Sequence, residues 1–147
     1  MKNEKFVDAL DDERIVAAIR EAEGRTRAEI RVHVTSRPVE EAKRSAAATF
    51  EKLGMTATAE RNGVLIFLAP ASRRFAVLGD SGIHERCGDE FWSRVASAMS
   101  AHFREGRFSE GLVDGITAVG SELARHFPRR EGDGDRNELP DTVSRDE

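Results

Sequence analysis

Apolar residues recur along this chain with two different periods. Residues 11–24 carry Ile15, Ala18, Ile19 and Ala22 at helical spacing behind Asp11 and Asp12, whose carboxylates can accept from first-turn amides, so the pattern predicts a helix. From Ala28 to Ser36 the period becomes two, with Ile30, Val32 and Val34 alternating with Arg31, His33 and Thr35. That predicts a strand with one wet or polar face. Pro38 can open a second helix bearing Ala42, Ala46, Phe50 and Leu53, which Gly54 is placed to end. The Asn62-Gly63 pair then precedes Val64 to Ala69, an uninterrupted apolar run of the kind found in a strand buried on both faces. After a short polar break at Pro70 to Arg73, Phe75 to Leu78 predicts a third strand that ends at Gly79-Asp80-Ser81-Gly82. A connection this short implies an antiparallel hairpin. Two further helices are expected, at Asp89 to Phe103 with Phe91, Trp92, Val95 and Met99 on one side, and at Ser109 to Phe127 with Leu112, Ile116, Val119 and Leu123. Gly106 separates them and Pro128 stops the second.

This order specifies an α/β fold: one right-handed βαβ crossover, then a β-hairpin, then two C-terminal helices. The mixed sheet should hold three to four strands with helices on both sides, and a fourth strand would come from around Glu138 to Ser144. With 147 residues the chain is long enough for one domain with a sizeable core, here placed at residues 1–128. Residues 129–147 form an acidic tail with 4 basic and 7 acidic groups, so −3 of the total charge of −4 lies there. Its few aliphatics predict disorder by composition. The near-neutral body argues against a nucleic-acid partner held on a broad basic surface. The longest apolar stretch, Val64 to Pro70, is far short of the roughly 20 residues that a membrane helix needs. With no apolar signal core in MKNEKFVDALDDER, the expected compartment is the cytoplasm. A single cysteine, Cys87, excludes an intrachain disulfide and a cysteine-based zinc site.

No phosphate loop, nucleophile elbow or His-Glu-x-x-His motif is present. Cys87, beside Gly88 before a helix, is either a partly buried small residue or a thiol activated by a helix amino terminus. His102, a turn from Met99, reads as a satisfied boundary residue, and Trp92 as core. More informative is the mapping onto the sheet. Glu29 at the start of the first strand and Asn62 just before the second share one edge of a parallel pair, and the third strand returns Asp80 to that edge. Glu85 follows close behind on the chain. Oxygen ligands from strand ends and turns are what Ca²⁺ or Mg²⁺ requires, although a solvated edge carries carboxylates as well. Arg73 and Arg74 fall at the opposite end of the hairpin, roughly 15–20 Å away at about 3.3 Å per residue. There they could hold a phosphate or carboxylate, or simply keep a turn soluble.

The stretches IVAAIREAEGRTRAEIRVHV, RNGVLIFLAPASRRFAVLGDSGI, FWSRVASAMSAHFREGRFSEGLVDGITAVGSELARHFP and NELPD together resemble the TPM-domain (TPM phosphatase) family, in its short single-domain bacterial form. The resemblance covers roughly residues 11–145. It implies a compact three-layer α/β/α sandwich, divalent cation binding by some members, and a claimed acid phosphatase activity. It also implies that the carboxyl end, residues 137–144, packs on the domain. Many members carry an acid where this chain has Arg61, in the run Arg61-Asn62-Gly63-Val64-Leu65. A cation there removes an oxygen ligand and repels a metal. Two functions follow as expectations. The first is metal-assisted phosphomonoester hydrolysis, with Ca²⁺ or Mg²⁺ on Glu29, Asn62, Asp80 and Glu85, Asp80 and Glu29 catalytic, and Arg73 and Arg74 phosphate-binding. The second is a non-catalytic metal-binding module that docks on a protein partner.

Overall fold

A computed structural model describes residues 11–58, 60–129 and 143–146. Its sheet has four strands, β1 (Glu29–Val34), β2 (Gly63–Ala69), β3 (Arg74–Gly79) and β4 (Ser144–Arg145), in the spatial order β3-β2-β1-β4. Every residue of β2 is buried, as its unbroken apolar run requires. β1 pairs with β2 in parallel from Glu29↔Gly63 to Val34↔Leu68, while β3 pairs with β2 antiparallel from Val64↔Gly79 to Ala69↔Arg74. The crossover and the hairpin are therefore both present.

Helices cover both faces. Ile30, Val32 and Val34 join Val64, Ile66 and Leu68 against Ile15 and Ile19 of α1 (Asp12–Arg25), Val95 and Met99 of α4 (Asp89–Arg104), and Leu112, Ile116, Val119 and Leu123 of α5 (Phe108–His126). The opposite face, with Leu65, Phe67 and Ala69, packs on Ala46 and Phe50 of α2 (Ala42–Lys52) and on Met55. Each Val, Leu, Ile, Phe or Met among these withdrawn from water contributes about 1.5–3 kcal/mol, so β2 draws on both layers at once. The result is the α/β/α sandwich expected from the sequence, with α2, among the described residues, the helix on one side.

Local chemistry sets the element ends. Asp11 caps α1 by accepting from the Arg14 N–H at 3.2 Å. A 3-10 turn at Pro70–Ser72 makes the hairpin connection, and Arg73 closes it with a left-handed φ of 50°. One helix has no counterpart in the apolar pattern: α3 (Ser81–Cys87) buries only Ile83, and seven residues with one core contact leave no periodic stripe to read. The end of α5 is tied back to the entry of β1, since the Thr26 hydroxyl donates to the Leu123 carbonyl at 3.2 Å and to the Phe127 carbonyl at 2.5 Å. The fourth strand lies at the very end of the stretch predicted for it. β4 runs parallel to β1, with His33↔Ser144 and Val34↔Arg145. Residues 130–142, including the NELPD motif, lie outside the described residues.

The three layers leave little space between α5 and α1. A Cβ built on Gly120 of α5 would stand 2.6 Å from Ala22 Cβ, whereas one built on Gly24 of α1 meets nothing within 4 Å. Both Gly→Ala changes gain about 1 kcal/mol of helix propensity, but overpacking a close contact costs about 1–3 kcal/mol. Urea unfolding should show Gly24→Ala more stable than the parent and Gly120→Ala less stable.

Candidate functional site

The register places three polar residues at the amino-terminal edge of the central strands. Asn62 immediately precedes β2, and its carbonyl accepts from the Glu29 N–H at 3.2 Å. Its own N–H donates to Thr58 Oγ1 at 3.2 Å, and its Nδ2 to the Arg27 carbonyl at 3.3 Å. Asp80 follows β3 and reaches the same edge, its N–H donating to the Gly63 carbonyl at 2.9 Å. Glu29, Asn62 and Asp80 are 2%, 2% and 7% exposed, so the edge is polar but dry. Asn62 Oδ1 is buried and accepts no hydrogen bond. An orphaned buried acceptor of this kind is costly, which is why it marks the edge as a place where a cation or donor would be favoured.

Arg61 occupies part of that role. Its backbone is left-handed with φ 52°, and its carbonyl accepts from the Gly82 N–H at 2.9 Å, holding the residue against the start of α3. Its guanidinium donates from Nε to Asp80 Oδ2 at 2.7 Å and from Nη2 to Oδ1 at 2.9 Å. Asp80 also caps α3 by accepting from the Ser81 N–H at 2.7 Å. The hydrogen bonds and charge of Asp80 raise the Arg61 pKa from an already high value, so this is a permanent cation. The pair is asymmetric, with the Asp80 side chain 6% exposed and that of Arg61 50% exposed. Beside it, Arg27 Nε meets Glu60 Oε2 at 2.7 Å.

The oxygen set of Glu29, Asn62 and Asp80 suits a hard cation by its chemistry, and the orphaned Asn62 Oδ1 fits that reading. Both Asp80 oxygens, however, already hold the Arg61 guanidinium. Glu85 lies exposed on α3, and among the described residues no three His, Cys, Asp or Glu side chains gather to hold a metal ion. Arg73 and Arg74 stand at the other end of the hairpin, both exposed. Arg74 donates to the Glu40 carbonyl and Ser72 Oγ accepts from the Val39 N–H at 2.9 Å, so this turn braces the loop between β1 and α2. The acidic edge and the two arginines are thus separate features.

A second polar constellation escapes sequence reasoning. The polar face of β1 is not wet: His33 and Thr35 are 7% and 4% exposed. His33 stacks on Phe67 at 5.7 Å between ring centroids. Its Nδ1 lies 2.9 Å from Ser144 Oγ and its Nε2 3.1 Å from Asp146 Oδ1. Thr35 Oγ1 donates to Asp146 Oδ2, which also accepts from the Ser36 N–H at 3.1 Å. The alternation Arg31, His33, Thr35 marked a wet or polar face, but the partners that cover it sit more than 100 positions away in a tail that composition marks as disordered. Arg145 adds a bidentate pair to Asp12 at 2.7 and 2.8 Å.

Of the remaining candidates, Cys87 ends α3 rather than opening a helix. Burial, reinforced by Glu122, pushes its thiol up to about 11, which removes the activated-thiol reading. Modification by a thiol reagent near neutral pH should be much slower than for a free cysteine and should accelerate on unfolding. His102 is satisfied as expected, with Nε2 2.6 Å from Asp114 Oδ2 and Nδ1 accepting from Arg107 Nε at 3.1 Å.

Burial lowers the His33 pKa, with Asp146 pulling it up and Arg31 and Lys52 pushing it down further. Burial opposes ionisation of Asp146 too, but hydrogen bonds from Thr35, His33 and Ser36 outweigh it and hold that carboxyl below its ordinary range. The unfolded chain therefore takes up a proton on His33 near pH 6.5 that the folded chain resists, and stability falls as pH drops below about 6.5. Melting curves at about pH 7.5 and about pH 5 should show a lower Tm at acid pH, and His33→Gln should flatten that fall.

Comparison with known proteins bears on the whole arrangement. The TPM domain family profile matches residues 1–122. The solution structure of the BA42 protein from the psychrophilic bacterium Bizionia argentinensis superposes with a TM-score of 0.85 at 39% identity, covering 94% of this chain and 96% of that one. The N-terminal domain of a protein from P. gingivalis has a TM-score of 0.62 at 22% identity, over 78% of this chain and 76% of its own. The N-terminal domain of cg2496 from Corynebacterium glutamicum has a TM-score of 0.60 at 17% identity, over 74% and 68%. These last two show the fold alone. No functionally curated protein matches the chain. No described helix is long and apolar enough to cross a membrane.

Proposed function

The chain belongs to the TPM domain family, and from that premise we propose that it binds Ca²⁺ or Mg²⁺ weakly at Glu29, Asn62 and Asp80, with little or no phosphomonoesterase turnover. The observation that supports this reading is the buried Asn62 Oδ1, an acceptor with no donor, between the strand ends that carry two buried carboxylates. A bound divalent cation would polarise a phosphoryl oxygen there. Arg61 works against it by holding both Asp80 oxygens, so a metal must displace a tethered guanidinium before it gains its third ligand. Because that guanidinium is half exposed, it can swing into solvent without opening the core.

Turnover is argued down by distance. Arg73 and Arg74 lie at the far end of β3 from Asp80, six or seven residues or about 20–23 Å, too far to orient one phosphate over that carboxylate. Asp80 itself is engaged three times, by Arg61 and by the Ser81 amide, which leaves it poorly placed as a base.

Titration calorimetry with Ca²⁺ and with Mg²⁺ tests the reading. Arg61→Ala should tighten binding about tenfold by removing a like charge, and Asp80→Asn should abolish it. No heat of binding for either the parent or Arg61→Ala would sink the proposal. Hydrolysis of an aryl phosphate should not exceed that of Asp80→Ala; binding without turnover favours a cation-dependent docking module, and clear excess turnover assigns catalysis to this edge instead.

A further inference from the structure

We propose that the carboxyl-terminal ends of β1 and β4 form an oxyanion site for phosphate or a phosphomonoester, and that Asp146 of the chain's own tail occupies it in this structure. The contacts described for the Asp146 carboxylate are donors from one strand end: the Thr35 hydroxyl, the Ser36 N–H at 3.1 Å and the His33 imidazole at 3.1 Å. They are satisfied together when His33 Nε2 carries its proton and Nδ1 accepts from the Ser144 hydroxyl. His33 and Thr35 are more than nine-tenths buried, so this is a built pocket and not a surface encounter.

Arg31 lies on the same face of β1, two residues before His33. It is near enough for its charge to be felt by the imidazole, its Nε is buried with no acceptor, and it has no ion pair among the described residues. Local positive charge therefore exceeds what one tail carboxylate uses. Thr35 and Ser36 share a single oxygen of Asp146, whereas a tetrahedral phosphate could give each donor its own and still face Arg31.

Topology points to the same place. From β1 the chain crosses to β2 over the face covered by α2, while β4 lies on the other side of β1 and is reached after α4 and α5, which cover the opposite face. The crevice at the carboxyl ends of β1 and β4 is thus where the strand order switches, the usual ligand position in open α/β sheets. β4 contributes two residues paired with β1, and Arg145 between Ser144 and Asp146 is anchored separately on Asp12. This site lies about 13–20 Å along β1 from Glu29 and rests on nothing proposed for the cation edge.

An NMR titration of the full chain with inorganic phosphate and with phenyl phosphate, in the presence of EDTA, tests the assignment. The Ser36 amide and the His33 ring should respond. If Asp146 fills the pocket most of the time, Asp146→Ala should tighten binding about tenfold, since apparent affinity scales with the fraction of open sites. Adding Thr35→Val to Asp146→Ala should abolish the response, and Asp80→Asn should leave it intact. Asp146→Asn, which keeps shape while removing charge, should also tighten binding and serves if the alanine variant does not fold. A folded Asp146→Ala or Asp146→Asn protein whose Ser36 amide ignores about 50 mM phosphate would overturn the proposal, a concentration at which even a millimolar site is filled. So would shifts centred on Arg73 and Arg74 instead.

Discussion

A strand that must be dry on both faces governs this molecule. β2 alternates Val64, Ile66 and Leu68 toward one layer with Leu65, Phe67 and Ala69 toward the other, and neither set can remain in water at about 25 cal/mol per Å² of apolar surface. Helices on both sides follow from that demand, and so does the parallel pairing with β1, because a crossover helix is what joins two parallel neighbours. The close approach of Gly120 to Ala22 belongs to the same constraint, with α5 and α1 sharing one face of the sheet.

Once β2 is central, its two ends become the two places where chemistry can happen. The amino-terminal end gathers Glu29, Asn62 and Asp80, three oxygen-bearing side chains nearly out of water. Burying carboxylates is expensive unless a cation or donors meet them. Arg61 meets Asp80 with two hydrogen bonds, and Asn62 Oδ1 is left over. At the carboxyl-terminal side the need is reversed: hydrogen-bond donors at the end of β1 are met by a carboxylate from the tail. Each end of the sheet is closed by a charge the chain supplies itself, one from the half-exposed Arg61 and the other from Asp146.

The two closures differ in how visible they are along the chain. Arg61 stands next to Asn62 and 19 positions from Asp80, so a strand map is enough to place it beside the acidic edge. Asp146 stands 113 positions from His33, in a segment whose composition argues for disorder. α3 was hidden for another reason: a short helix with one buried residue, Ile83, carries no periodicity above chance. Cys87 was ambiguous because its pKa depends on which end of a helix it occupies, and that end was set by a helix the pattern did not reveal.

The sequence by itself determined the alternation of periods, and with it β1, β2, β3, the three long helices that sandwich them with α2, and the arrival of Glu29, Asn62 and Asp80 at one edge. Those follow from local spacing and from the rule that apolar runs must be covered. Tertiary structure alone decided that Arg61 would hold both oxygens of Asp80, that α3 would start on that same carboxylate, and that the polar face of β1 would be buried under Ser144 and Asp146. Side-chain pairings of this kind depend on distances between residues far apart in the chain, which no periodicity encodes.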